Sequence, residues 1–385
     1  MAVLTALMAL SIDTILPALP AIGSSLGVVR PNDNQLIVAL LFLGIAIGQF
    51  FYGPVSDSVG RKPAVYVGLG LYITGCALSL ASRTFPAMLT GRLLQGLGAA
   101  GPRTMTIALV RDRFEGRLMA RVMSLIMTIF ILVPVVAPSL GQAVLAVSGW
   151  RAIFGAYFVI ALVACIWFAI RQEETLPPDR RVPFSPRWLA GAFRTVITNR
   201  VAVGYTLAAG CVFGAFIGYL GSAQQILQAQ YRLGARFPLY FATLALAIGS
   251  ASFLNARIVM RLGARRLSSR ALRVSCGSSL VFVGVAYAFA GQPPLILLMS
   301  YLMTVFFCMG LLMGNLNALA MQPLGQVAGT GAAIVGGLST LISLLLGTVV
   351  GQSYNGTVLP LVAGFAVLSA LGIIATRWAE GGTPP

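Results

Sequence analysis

Nine acidic side chains occur in this 385-residue chain, and only Asp13 falls well inside an apolar stretch, Leu10-Ser11-Ile12-Asp13-Thr14-Ile15-Leu16-Pro17. A charged side chain at the centre of a bilayer costs about 3 kcal/mol or more, so an acid there is a candidate for proton or substrate chemistry. Two cations share this setting. Arg92 and Arg103 lie eleven residues apart in a later apolar stretch, which puts them on one face of a helix. Gln95, Gly96 and Ala99 fall on or near that face. The stripe could line a cavity, or Arg103 could extend its charged end toward water instead. Asp13 precedes Pro20 by seven residues and Arg92 follows Pro86 by six. At about 1.5 Å per residue both lie roughly 9–10 Å below the same membrane surface. Burial favours a neutral carboxyl and a nearby guanidinium favours a charged one. A pair whose separation or hydration changes would therefore take up and release a proton. A static ion pair that sets helix register and a direct substrate contact are the alternatives.

Other chemistries lack their residues. Histidine is absent, which removes the usual metal ligand and neutral-pH base. Cys76, Cys165, Cys211, Cys276 and Cys308 all sit in apolar stretches without metal-ligand spacing, as small buried hydrophobes do. No nucleophile–base pair or acid cluster suggests an enzyme, and no phosphate-cradling glycine loop suggests ATP as a direct energy source. The expectation is a chain with no catalytic residue, no metal and no cofactor.

The elements that must hold Asp13 and Arg92 follow from composition. The chain is 58% hydrophobic and 9% charged, against roughly 25% charged in soluble domains, so its solvent is lipid. A spanning helix needs about 20 apolar residues. Such windows occur at 2–22, 35–55, 64–82, 87–109, 119–145, 152–170, 201–222, 238–258, 270–290, 294–320, 329–351 and 357–376. The first, apolar and without a basic run or cleavage site, reads as a retained helix and not a removed signal. The lack of a polar segment ahead of Met1 fits a shortened gene start. With the N-terminus inside, 19 of the 26 basic residues fall in inside segments and five in outside ones. That bias sets orientation and accounts for the net charge of +17 without a nucleic-acid partner. Both termini are then cytoplasmic, in a cell membrane (the inner one in a Gram-negative cell).

The twelve windows form two groups of six. Between them residues 171–200 carry Glu173, Glu174, Pro177, Pro178, Asp179, Pro183 and Pro186, a density of charge and proline that cannot span. The expected organisation is a bundle at 1–172, a cytoplasmic linker at 173–199 and a bundle at 200–385. The end of the linker, Arg187 to Arg194, could form a short interfacial helix. Gly60-Arg61-Lys62 after the second window is echoed by Gly263-Ala264-Arg265-Arg266 after the eighth, and repeated halves are a feature of alternating-access carriers. Gly44/Gly48, Gly210/Gly214/Gly218 and Gly310/Gly314 read as close helix packing; glycine-lined contacts would also let helices rock.

Several runs carry a family resemblance. Gly53-Pro54-Val55-Ser56-Asp57-Ser58-Val59-Gly60-Arg61-Lys62-Pro63 resembles the signature between helices two and three of the major facilitator superfamily. Leu10 to Pro20 resembles the helix-one motif of drug:proton antiporters, and Arg92-Leu93-Leu94-Gln95-Gly96-Leu97-Gly98 the helix-four motif associated with proton coupling. Pro134, Pro138 and Gly141 resemble the helix-five antiporter motif, with Ala137 and Gln142 where glycines are common. Gly149-Trp150-Arg151 opens helix six in the usual way, and Val110-Arg111-Asp112 closes helix four. The whole chain resembles the Bcr/CflA-type drug-resistance group.

The resemblance implies an all-α integral membrane protein of twelve transmembrane helices in two pseudo-symmetric six-helix bundles, working as a monomer. It implies a secondary transporter exporting small hydrophobic or amphiphilic compounds against protons, with the proton gradient as its energy source. An uptake symporter for a small metabolite is the alternative on the same fold. Helices one and four are neighbours in that fold, so Asp13 and Arg92 are expected to interact. Gly53, Asp57, Gly60, Arg61, Arg111 and Asp112 would form a cytoplasmic gate. Gln95, Arg103, Tyr219, Ser222, Gln224, Asn315 and Asn317 are candidate cavity residues, the last five being equally suited to helix–helix hydrogen bonds. If both arginines reach the cavity, two cations against one acid would favour neutral, zwitterionic or anionic substrates over cationic dyes.

Overall fold

The computed structural model describes residues 2–182 and 185–381, apart from the side chains of Arg117, Ala120, Ile131, Arg180, Pro186, Trp188, Gln326 and Ala328. Pro183, placed in the linker above, lies outside the described residues. Among the described residues all regular structure is helical. The spanning helices are α1 (Ala2–Ser25), α2 (Leu36–Val59), α3 (Arg61–Ala81), α4 (Phe85–Arg113), α5 (116–148) and α6 (150–171). They continue as α7 (Arg200–Gln224), α8 (Phe237–Leu262), α9 (Ala264–Ala288), α10 (Leu295–Met321), α11 (Ala328–Gln352) and α12 (Leu359–Glu380). Helices α5 and α6 form one 56-residue run interrupted at Gly149, where φ is 75°. A continuous helix of that length would reach about 84 Å, far beyond a bilayer, so the glycine divides two spans. Hydropathy and length alone pick out ten segments among the described residues. The α5–α6 run counts once there, and α4 is missed because Arg92, Gln95 and Arg103 dilute its apolar character.

The chain divides into two compact units, Met1–Ala190 and Gly191–Pro385. The division falls inside the polar segment, at a short helix, Pro186–Thr198. Within the first unit α4 is central and packs on α1, α2 and α3, and the α5–α6 run packs on α1 and α3; Phe168 of α6 meets Tyr66 of α3, and Gly141 of α5 meets Thr14 of α1. Within the second unit α10 packs on α7, α8 and α9 in the same way, α12 on α9, and α11 on α7. This repetition of neighbours is the structural form of the weak sequence echo.

Backbone approach explains the small residues. A methyl group on Gly44 would meet the Leu93 carbonyl of α4. One on Gly210 would meet Ile342 of α11, and one on Gly310 the Ile248 carbonyl of α8. Gly314 faces open space. In lipid, packing of this kind replaces the hydrophobic effect as the force between helices.

Candidate functional site

The first helix is built to break beside its acid. It runs as an α-helix from Ala2 to Asp13, tightens into a 3-10 turn at Leu16–Ala18, and resumes over Leu19–Ser25. Pro17 has no N–H to give the Asp13 carbonyl four residues earlier, and its ring crowds that carbonyl. Asp13 thus ends a half-helix in the middle of a span. The residue is 4% exposed. Among the described residues it makes no ion pair and no side-chain hydrogen bond. Gly141 of α5 packs directly on this break, with the space for its missing side chain filled by the Thr14 carbonyl. The helix-five motif, with Pro134 and Pro138 inside the helix, therefore touches the acid-bearing bend.

Arg92 is fully buried. Its guanidinium donates from Nε to the Ile37 carbonyl at 2.9 Å, from Nη1 to Gln95 Oε1 at 2.6 Å, and from Nη2 to the Ser11 carbonyl at 2.9 Å. The Phe154 ring lies 5.9 Å away. Gln95 Nε2 in turn donates to Cys76 Sγ at 3.3 Å and to Ser11 Oγ at 3.5 Å. Ser11 Oγ and Tyr72 Oη share a hydrogen bond of 2.5 Å, and Tyr157 Oη donates to the Leu10 carbonyl at 2.9 Å. One guanidinium thereby ties α1, α2 and α4 together, with α3 and α6 joined through Tyr72, Cys76 and Tyr157.

The direct Asp13–Arg92 contact expected from depth is not formed. Arg92 does reach α1 two residues before Asp13, at the Ser11 carbonyl. Depth does not fix azimuth, since successive residues turn by about 100° around a helix, and three neutral acceptors already surround the guanidinium. Gln95 is likewise fully buried inside this network, where it bonds Arg92 instead of lining a cavity. Arg103 is half-buried. It points at Met8 Sδ of α1, 3.5 Å away, and stands over the Phe130 ring of α5 at 5.7 Å.

A second cluster sits at the turn between α2 and α3. Arg61 is buried; its Nη1 lies 2.5 Å from Asp57 Oδ1 and its Nε 3.2 Å from Asp112 Oδ2. Nη1 also donates to Ser56 Oγ at 2.6 Å, and Ser56 Oγ donates to the Gly53 carbonyl at 2.9 Å. Gly60 turns the chain between the helices with φ 110°, ψ 161°, and Gly263 repeats the device between α8 and α9 with φ 77°, ψ 148°. Side-chain-bearing residues avoid that region. Asp57, Arg61 and Asp112 are thus brought together, while Arg111 is exposed and outside the ion pairs among the described residues.

The sequence reading missed Glu174, which it left in the linker. Its Oε1 accepts from the Arg61 N–H at 2.9 Å and its Oε2 from the Lys62 N–H at 3.0 Å. Burial pushes its carboxyl up, but hydrogen bonds from the Leu176, Lys62, Arg61 and Thr175 amides outweigh this and hold it below the ordinary value. The available signal was a carboxylate just past the end of α6 and a glycine just before α3. Ser11, Tyr72, Cys76 and Tyr157 were also missed; polar side chains within apolar windows were the signal there.

The candidates of the second unit are dispersed. Tyr219 is buried in an aromatic core, 4.8 Å from Phe306 and 6.0 Å from Phe241 between ring centroids. Ser222 Oγ donates to the Gly218 carbonyl of its own helix at 2.9 Å. Gln224 is buried where α7 passes into a π turn, Gln225–Gln230. Asn315 exchanges hydrogen bonds of 3.2 and 2.8 Å with Asn255 of α8, a helix–helix contact. Asn317 is exposed and donates to the Met313 carbonyl at 3.0 Å.

The family model of the Major Facilitator Superfamily matches residues 1–348. The chain belongs to this superfamily of membrane transporters. A bicyclomycin resistance protein homolog of Haemophilus influenzae is 27% identical, over 97% of this chain and 93% of its own length. Multidrug resistance protein D of Escherichia coli is 24% identical over 96% and 93%. A human organic anion transporter superposes with a TM-score of 0.70 at 19% identity, covering 98% of this chain and 97% of its own. At that identity the superposition speaks for the fold.

Proposed function

We propose that this chain exports small hydrophobic or amphiphilic compounds in exchange for protons, as an antiporter of the multidrug type. The observation that carries this reading is Asp13. It is a buried carboxyl at a proline-made break in a spanning helix, with no cation paired to it among the described residues. A charged carboxylate there is unfavourable, so the acid takes a proton when the site is closed to water and loses it when water or substrate arrives. Arg92 acts in this scheme through the α1 backbone, by holding Ser11 and thus the register of the break. Motion of α5 about Pro134 and Pro138 would reach Asp13 through the Gly141–Thr14 contact.

The resistance and multidrug names of the relatives support export over uptake. Asp57, Arg61 and Asp112 serve as a gate on the cytoplasmic side, the orientation that the basic-residue bias supports. The unit of function is a monomer in the cell membrane, driven by the proton gradient without a cofactor. Drug flux in inverted and right-side-out vesicles under an imposed proton gradient tests this. Accumulation in inverted vesicles driven by an acidic interior supports antiport, and proton-driven accumulation in right-side-out vesicles would replace it with uptake.

A further inference from the structure

The end of α6 and the segment after it are fastened to the α2–α3 turn and to the end of α4 at several points. Glu174 takes the Arg61 and Lys62 N–H groups, and its Oε1 also accepts from Thr175 N at 2.9 Å and Leu176 N at 3.0 Å. Thr175 Oγ1 donates to Asp112 Oδ2 at 3.1 Å. The Val182 N–H donates to the Asp57 carbonyl at 3.0 Å, and Lys62 Nζ to the Ala169 carbonyl at 3.2 Å.

The first N–H groups of a helix have no partner within it. At α3 those of Arg61 and Lys62 are met by one carboxylate, which also opposes the positive end of the helix dipole. The carboxylate fits there because residue 60 has no side chain: a methyl group on Gly60 would stand 2.5 Å from Glu174 Oε2. Arg61 is therefore held at both ends. Its amide is bound to Glu174, and its guanidinium is bound to Asp57, Asp112 and Ser56.

We propose that Glu174 is a positioning residue of the loop cluster: it fixes the first turn of α3 so that Arg61 spans Asp57 and Asp112. The inference rests on reading that cluster as a gate. The segment after α6 is then part of the gate and not a passive tether, and Gly60 is required as much for the space it leaves as for its backbone angles.

Hydrogen exchange on the full-length protein in lipid nanodiscs tests this without a substrate. Glu174→Gln keeps the size but turns an amide NH2 toward N–H donors, and Gly60→Ala occupies the carboxylate's space. Each should speed exchange of the Arg61 and Lys62 amides by about tenfold, as local opening does, with peptides from α4 and α10 unchanged. In proteoliposomes each should lower Vmax several-fold while KM stays within about twofold, the pattern of a lost conformational step. Unchanged exchange at Arg61 and Lys62 overturns the proposal, as does a general rise across the molecule. A rise in KM with Vmax intact overturns it too. Wild-type protein without proton-coupled flux would sink the exporter reading alone, since the exchange measurement decides the role of Glu174 independently.

Discussion

The two units repeat one packing scheme and fill it with different chemistry. The core of the first holds a guanidinium, a carboxyl, an amide and hydroxyls: Arg92, Asp13, Gln95, Ser11, Tyr72 and Tyr157. The core of the second holds rings, with Phe216, Tyr219 and Phe365 each packed against Phe306. The turns differ likewise. Gly60 and Gly263 bend the chain the same way, but Arg61 and Asp57 flank the first, while Ala264 and Met260 hold the matching places around the second. Fold symmetry therefore does not require chemical symmetry. Helix packing needs only small residues at the crossings, which leaves one half free to carry charge and the other to present apolar surface.

The sharpest way to break this comparison is to remove one side chain from each core. Arg92→Leu leaves the Ser11 carbonyl and the Gln95 amide oxygen without their guanidinium donor, at about 1–3 kcal/mol for each orphaned group, while the Ile37 carbonyl keeps its helical N–H. Thermal unfolding in detergent should show a loss of several degrees or no folded protein. Phe306→Leu in the second unit changes shape without orphaning a polar atom and should cost about 1 kcal/mol. Equal losses would mean that the polar core has no special structural weight.

At the turns, Asp57→Asn removes a partner of Arg61 and should slow transport about tenfold while substrate affinity changes less than twofold. Met260→Asp, the mirror change, should create no comparable effect, because no arginine stands at position 264. Stopped-flow efflux and equilibrium binding separate the two outcomes.

Smaller again is the Asn255–Asn315 pair. Asn315→Leu should cost about 0.6–1.7 kcal/mol, the range of interhelical hydrogen bonds in membranes, and leave substrate range unaltered. A changed drug spectrum would return Asn315 to the list of substrate contacts.

The smallest effect is a pH response. Hydrogen bonds from four amides lower the Glu174 carboxyl value despite partial burial. A lowered carboxylate contributes stability above its ordinary value and loses it only as pH falls through the lowered one. Exchange at the Arg61 and Lys62 amides, corrected for intrinsic rate, should therefore be flat across neutral and mildly acidic pH. A step near neutrality would require another titrating group.

These expectations rest on features that were unevenly legible in the sequence. Apolar runs and their basic flanks reveal the helices, and Gly149 and Gly60 mark turns, because hydrophobic length and backbone freedom are local properties. Asp57 and Arg61 are four residues apart, so their contact follows from helix geometry. The partners of Arg92 were not legible. Whether a buried guanidinium meets Asp13 or the carbonyls of Ser11 and Ile37 depends on the rotation of three helices, which residue spacing on any one of them leaves open. Glu174 was hidden for a related reason. In sequence it is one of several charges in a polar segment; only the chain's return to the α2–α3 turn gives it a helix end to cap.

The central claim is that Asp13 is the proton-carrying group, and substrate-triggered proton release tests it most directly. Purified protein in weakly buffered detergent solution, with a pH-indicator dye, should release protons when a transported drug is added, and Asp13→Asn should abolish the release while still binding the drug. Release of wild-type size from Asp13→Asn would contradict the account.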